Sequence, residues 1–153
     1  MRSIVPSVQP ARTVTSLSKT MYTAKAESTG GGRNGVTKLR EEGPLKFQLA
    51  LPKALGGSGE GQNPEQFFAM GYSACFLSAL NSIARGQKYK LPEDVEVHAD
   101  VSIGVPEGSK GFSLAVELIV KGSFPDSDKE TVEKLVHEAH QIRNNIPVSV
   151  SVA

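Results

Sequence analysis

Apolar residues recur along this chain with two periods, and the switches between them divide it into elements. Leu45, Phe47, Leu49 and Leu51 alternate with Lys46, Gln48 and Ala50, the two-residue period of a strand with one buried face. Upstream, Met21 to Arg40 reads as a weaker hairpin that turns at Gly30-Gly31-Gly32 and Asn34-Gly35. Val95, Val97, Ala99, Val101 and Ile103 make a further alternating run, and Phe112, Leu114, Val116, Leu118 and Val120 another. A turn from Pro106 to Gly111 joins these two, which predicts an antiparallel pair with one wet face. Val148, Val150 and Val152 predict a last strand.

The three-to-four-residue period appears twice. Asn63 before Pro64 is a helix start, with a side-chain oxygen to cap free N–H groups and a proline where its missing donor costs nothing. This helix is predicted to run to about Arg85-Gly86. Its middle, from Phe67 to Leu77, is apolar on nearly every side, which predicts burial all round, inside a large core or at a subunit interface. Ser127-x-x-Glu130 predicts a capping box for a second helix, whose Val132, Leu135, Val136, Ala139 and Ile142 recur at helical spacing. The order predicts an α+β domain: an antiparallel sheet, a buried central helix, and helices on one face. A central helix apolar all round further predicts a dimer in which two such helices cover each other.

A chain of 153 residues is long enough for one domain with a real core, placed here at residues 21–153. Residues 1–20 differ in composition, with Arg2, Arg12, Lys19, several Ser and Thr, and no acid before Glu27. They read either as a mitochondrial targeting peptide or as a disordered tail, and Pro6 and Pro10 interrupt the amphipathic helix that targeting needs. The single cysteine cannot form an internal disulfide and no Asn-x-Ser/Thr sequon is present, so a reducing compartment, mitochondrial or cytoplasmic, is expected. A net charge of +1 without a basic stripe argues against nucleic acid or an anionic membrane surface as partner. No stretch is expected to reach the ~20 apolar residues of a membrane span. The run Gly56 to Gly61 is a flexible connection and not a P-loop, because no Lys-Ser/Thr follows at the required position.

Cys75, inside the apolar helix, admits two readings. As a small hydrophobe it packs and stays inert; as a nucleophile it needs a nearby cation to favour the thiolate. Arg33 is a candidate cation, and Glu65 is able to hold its guanidinium in a bidentate pair. Ten residues of helix separate Glu65 from Cys75 by ~15 Å along the axis. The pair therefore has to reach Cys75 through a bend at Gly71, through the length of Arg33, or across a dimer interface.

The run Asn63-Pro64-Glu65-Gln66-Phe67-Phe68-Ala69-Met70-Gly71-Tyr72-Ser73-Ala74-Cys75-Phe76 resembles the helix signature of the organic hydroperoxide resistance proteins, a branch of the OsmC-like superfamily. Gly31-Gly32-Arg33-Asn34-Gly35, the stretch Leu51 to Gly57, and Glu138-Ala139-His140 resemble the same family in the same order. The resemblance runs from about Tyr22 to the C-terminus. It implies an intertwined homodimer with active sites at the subunit interface, and no bound cofactor or metal. Cys75 is then the peroxidatic thiol, which attacks the distal oxygen of a hydroperoxide to give a sulfenic acid and an alcohol. The resemblance makes Arg33 the residue that stabilises the thiolate and orients the peroxide, and Glu65 the one that holds Arg33. Alkyl and fatty-acid hydroperoxides are the implied substrates, with Phe67, Phe68 and Phe76 lining the pocket. A dihydrolipoyl group on a lipoylated protein, or another low-molecular-weight thiol or dithiol, is the implied external reductant.

The family carries a resolving cysteine in a Cys-Pro-Tyr-Ser-type segment after the second helix, whereas here Gln141-Ile142 runs straight into Arg143-Asn144-Asn145-Ile146. A one-cysteine peroxidase is the first reading. A non-cycling redox sensor, scavenger or impaired variant of the same fold is its alternative. Two other chemistries fit less well. Gly71-x-Ser73-x-Cys75 approaches a nucleophile elbow, but the helix begins too early to expose Ser73 at a strand-to-helix turn. His137 and His140 sit three apart on a helix without an acidic third ligand in register for a metal, and no spacing brings them to Cys75 as a base.

Overall fold

The alternating runs fold as two separate three-stranded sheets. The computed structural model describes residues 18–41, 43, 45–141 and 148–152, so most of the 1–20 tail and Ile142 lie outside the described residues. The first sheet is antiparallel, in the order β1 (Ala26–Thr29), β2 (Val36–Leu39), β3 (Lys46–Gln48). Strand β3 is shorter than the alternation of Leu45 to Leu51 predicts. After Gln48 the chain leaves the ladder: Leu49 bridges Gln62, and the Leu51 N–H donates to Asn34 Oδ1 at 2.9 Å.

The predicted hairpin turn lies between β1 and β2, and it is built on glycine. Gly30 and Gly32 take φ of 77° and 60°, the left-handed region that favours glycine. Gly35 is needed for space: a β-carbon there would lie 2.0 Å from the Thr29 carbonyl oxygen. Gly35→Ala is therefore expected to displace the turn that carries Arg33. A loss of about 1–3 kcal/mol in urea unfolding checks this, and a change within experimental error contradicts it.

In the second sheet β4 (Glu96–Gly104) pairs antiparallel with β5 (Ser113–Lys121) in the register Val97↔Val120 and Val101↔Val116. The last strand, β6 (Val148–Val152), is an exception to the antiparallel expectation, since it lies parallel to β5 with Val116 opposite Val148. The connection explains it. Helix α2 (Lys129–Gln141) carries the chain from β5 back to the start of β6, the crossover that a parallel pair needs. Helix α2 starts later than the Ser127 capping box predicts. Ser127 sits in a 3-10 turn and donates to Asp128 Oδ1, while Glu130 accepts from Lys134 Nζ at 2.7 Å.

The core is the seam between one face of the second sheet and the two helices. Phe76, Leu80 and Ala84 of α1 (Pro64–Gly86) meet Leu118 and Val120 of β5 and Val132, Leu135, Val136 and Ala139 of α2. The start of α1 is as expected and stronger: Asn63 Oδ1 accepts from the Gln66 N–H at 3.0 Å and Gln66 Oε1 accepts from the Asn63 N–H at 2.8 Å. This reciprocal pair satisfies two otherwise orphaned donors. At the far end Gln87 Nε2 donates to Glu138 Oε2 of α2 at 2.7 Å.

Two expectations about α1 change. It is long and apolar enough to cross a membrane by length and composition, 23 residues with mean hydropathy 1.4 over its most apolar stretch. Ser73, Ser78 and Asn81 obscure this in the sequence, and each returns a hydrogen bond to a helix carbonyl three or four residues back. Nor is the helix buried all round within one chain, since 22% of that stretch is buried and Met70 is 56% exposed. The apolar face of the second sheet also runs on past the helices, to Leu114 and Phe112, which is 73% exposed.

Candidate active site

Arg33 and Glu65 meet as the sequence anticipates. Arg33 Nη1 donates to Glu65 Oε2 at 2.7 Å and Nη2 to Oε1 at 2.6 Å, a bidentate fork-to-carboxylate pair. Each partner has a fixed mount. Arg33 projects from the 3-10 turn Gly32–Asn34, which is held by the Gly35 N–H on the Gly32 carbonyl and by the Leu51 N–H on Asn34 Oδ1. Glu65 is the second residue of α1, where the free N–H groups of the first turn favour a carboxylate. Its side chain is 11% exposed against 39% for Arg33.

The hydrogen bonds from Arg33 hold the Glu65 carboxyl below the ordinary carboxylate range, although partial burial pushes the other way. The same bonds raise the Arg33 guanidinium, again against burial. Both directions favour the ionised pair at neutral pH. Glu65 also borders a groove of about 260 Å³ formed with Pro52, Asn63, Gln66, Ala69, Val101 and Ile103.

Cys75 is exposed, midway along α1. At 100° per residue Phe68, Tyr72 and Cys75 share one stripe of the helix, and side chains lean toward its N-terminus. The Phe68 and Tyr72 rings stack with centroids 5.5 Å apart one turn before the sulfur. Gly71, four residues before Cys75, faces open space, since a β-carbon there meets nothing within 4 Å. An aromatic wall and a notch thus precede the thiol. Gly71, which the sequence offers as a place for a bend, lies instead within one helix from Pro64 to Gly86. Tyr72 is not singled out by the sequence, because its place beside the thiol follows from helical rotation and not from residue type.

The three phenylalanines separate. Phe67 makes an edge-to-face contact with Phe47, centroids 4.9 Å apart, and the two line an apolar cavity of about 400 Å³ with Leu39, Leu45, Leu49 and Pro64. Phe68 lies on the thiol's stripe. Phe76 corrects the expectation of a pocket residue: it is fully buried and packs the core on the other side of the helix. One residue is 100° of rotation, which carries it from the open face into the seam. His137 is on the exposed side of α2 and His140 in its last turn. Among the described residues no three His, Cys, Asp or Glu side chains cluster as a metal site.

A two-sheet α+β fold around a long apolar helix, with a bidentate Arg–Glu pair at its start and a thiol at its middle, defines a class. The family model for OsmC-like proteins matches residues 57–142. An organic hydroperoxide resistance protein of Xanthomonas axonopodis pv. citri is 41% identical over 143 residues, 88% of this chain and 96% of that one. The crystal structure of an organic hydroperoxide resistance protein from Legionella pneumophila is 40% identical with a TM-score of 0.72, covering 88% of this chain and 99% of that one. A Vibrio cholerae structure assigned to the same group is 38% identical with a TM-score of 0.72, covers 88% of this chain and 94% of that one, and has captopril bound in one of its active sites. The chain belongs to the OsmC-like family, in its organic hydroperoxide resistance branch.

Proposed function

We propose that this protein is a thiol-dependent peroxidase that reduces organic hydroperoxides to alcohols at Cys75, with Arg33 and Glu65 as the electrostatic half of the site. The observation that carries the reading is the pre-formed Arg33–Glu65 fork in a family member with an exposed cysteine on its central helix. A thiolate is the reactive form of sulfur, and a fixed guanidinium stabilises it while offering a donor to the peroxide. Glu65 keeps that guanidinium aimed without neutralising a second partner, because a planar fork has donors to spare.

The site is completed across a homodimer. Arg33 is tied to Glu65, which lies ten residues and ~15 Å of helix axis before Cys75, so a second copy supplies the guanidinium to each sulfur. The apolar surface that one chain leaves open on α1 and beyond it, at Met70, Leu114 and Phe112, is what a second copy covers. Phe68 and Tyr72 on the thiol's stripe of the helix and the apolar cavity at Phe67 favour an alkyl or fatty-acid hydroperoxide over hydrogen peroxide.

The reductant is an external thiol or dithiol, of which a dihydrolipoyl group on a lipoylated protein and a small free thiol are the two forms. Captopril is itself a small thiol, and its place in the Vibrio cholerae active site supports a pocket that admits one. Such chemistry belongs in a reducing compartment, cytoplasmic or mitochondrial. The test is purified protein with cumene hydroperoxide and dithiothreitol. Cumyl alcohol formed over many turnovers, with much slower consumption of hydrogen peroxide, is the expected result; no alcohol above the protein-free rate overturns the reading.

A further inference from the structure

The 153-residue chain holds one cysteine, so a sulfenic acid formed on it has no second thiol in the same chain to meet. Resting on the peroxidase reading, we infer that turnover runs through a mixed disulfide between Cys75 and an external low-molecular-weight thiol, and that excess hydroperoxide competes with this thiol for the oxidised sulfur. In the first step the Cys75 thiolate attacks the distal, hydrogen-bearing oxygen of the hydroperoxide, the O–O bond breaks, and the alkoxide takes a proton and leaves as alcohol. Sulfur loses two electrons and becomes a sulfenic acid. A second cysteine would attack that sulfur intramolecularly; here the attacking thiol comes from solution. Its sulfur bonds to Cys75, the S–O bond breaks, and water leaves. A second external thiol then takes the first as a disulfide and returns Cys75 to the thiolate. One hydroperoxide and two thiols give one alcohol, one external disulfide and one water.

The structure supplies the approach. Within one chain Cys75 is exposed, with Ala74 and Ser78 exposed beside it and the open notch over Gly71 on the side toward which its side chain leans. The second copy that brings Arg33 to the sulfur has to leave this notch open to a small thiol. Regulation arises from the same count of sulfurs. An intramolecular thiol has a high effective concentration and closes quickly, whereas an external thiol arrives at its bulk concentration. The sulfenic acid therefore lives longer when thiol is scarce. A second hydroperoxide then carries it to sulfinic acid, which thiols do not reverse. Activity is accordingly set by the ratio of thiol to hydroperoxide.

The experiment uses the full chain, cumene hydroperoxide and glutathione. Without thiol, one equivalent of hydroperoxide is expected to release one alcohol per subunit; no such burst defeats the peroxidase reading itself rather than this inference. Adding one equivalent of glutathione after the burst is expected to give, by intact mass, a single glutathione adduct on Cys75 that further glutathione removes with recovery of activity. Dithiothreitol at equal thiol concentration is expected to turn over faster without an accumulating adduct, because its second sulfur closes the ring intramolecularly. With excess hydroperoxide, inactivation with two added oxygens on Cys75 is expected to slow in proportion to added thiol. A burst followed by recovery without any glutathione adduct overturns the inference, as does a Cys75–Cys75 disulfide between chains or inactivation indifferent to thiol.

Discussion

Cys75→Ser is expected to remove hydroperoxide reduction altogether, by at least about 10³-fold in rate, while leaving the fold in place. A serine hydroxyl is a far weaker nucleophile at neutral pH, and it has no oxidised state equivalent to a sulfenic acid from which a thiol could regenerate it. The substitution is nearly isosteric at an exposed position, so unfolding free energy is expected to move by less than about 0.5 kcal/mol. Alcohol production and urea unfolding are measured on the same preparation. Residual turnover above a tenth of wild type would mean that the oxidised group lies elsewhere, with Met70, 56% exposed one helical turn and a half before Cys75, the next sulfur to test.

The fold was readable from the chain wherever a pattern has one physical cause. Alternation at Val95 to Ile103 and Phe112 to Val120 became β4 and β5 because a half-buried strand leaves that signature and no other element of that length does. Asn63-Pro64 marked the start of α1 because capping and the missing proline donor act locally. Signals that depend on distant packing failed. Ser127 and Glu130 have the spacing of a capping box, but Lys134 competes for the carboxylate and the chain prefers a 3-10 turn before Lys129. The parallel placement of β6 depends on the crossover length of α2, which a valine alternation does not encode.

At the site the same division holds. Arg33 and Glu65 are 32 residues apart, and their pairing was inferred from a resemblance and from the match of fork to carboxylate, not from periodicity. Phe76 shows the cost of reading residue type without rotation. It is adjacent to Cys75 in sequence and apolar like Phe68, yet it belongs to the core with Leu80 and Leu118. A helix that is apolar on nearly every side gives no moment from which to choose the buried face. That choice is made by what packs against it: the second sheet, β4 foremost, and α2 on one side, and on the other a surface left open in the single chain.

Arg33→Ala is expected to lower the rate of hydroperoxide reduction by about 10²–10³-fold while leaving Cys75 intact, because it removes preorganised positive charge from the reacting sulfur and peroxide. It also strands the Glu65 carboxylate, partly buried, so stability is expected to fall by about 1–2 kcal/mol after allowance for screening at the half-exposed guanidinium. The stability part has a defined pH dependence. Glu65 has a lowered pKa in the folded chain, so its contribution is complete above the unfolded carboxylate value of ~4.3 and is lost as pH falls through the folded one. The difference between wild type and Arg33→Ala in urea unfolding should therefore be constant near neutrality and shrink in acid. The catalytic part tests whether the guanidinium comes from the second copy. Neither Cys75→Ser nor Arg33→Ala alone should be active, yet chains of the two variants unfolded together and re-paired should recover about a quarter of wild-type activity. Half of randomly formed dimers are then hybrid, and each hybrid holds one site with an intact thiol facing an intact arginine. A mixture as dead as its parents would place Arg33 and Cys75 of one active site on the same chain, and the two-chain site would fall with it.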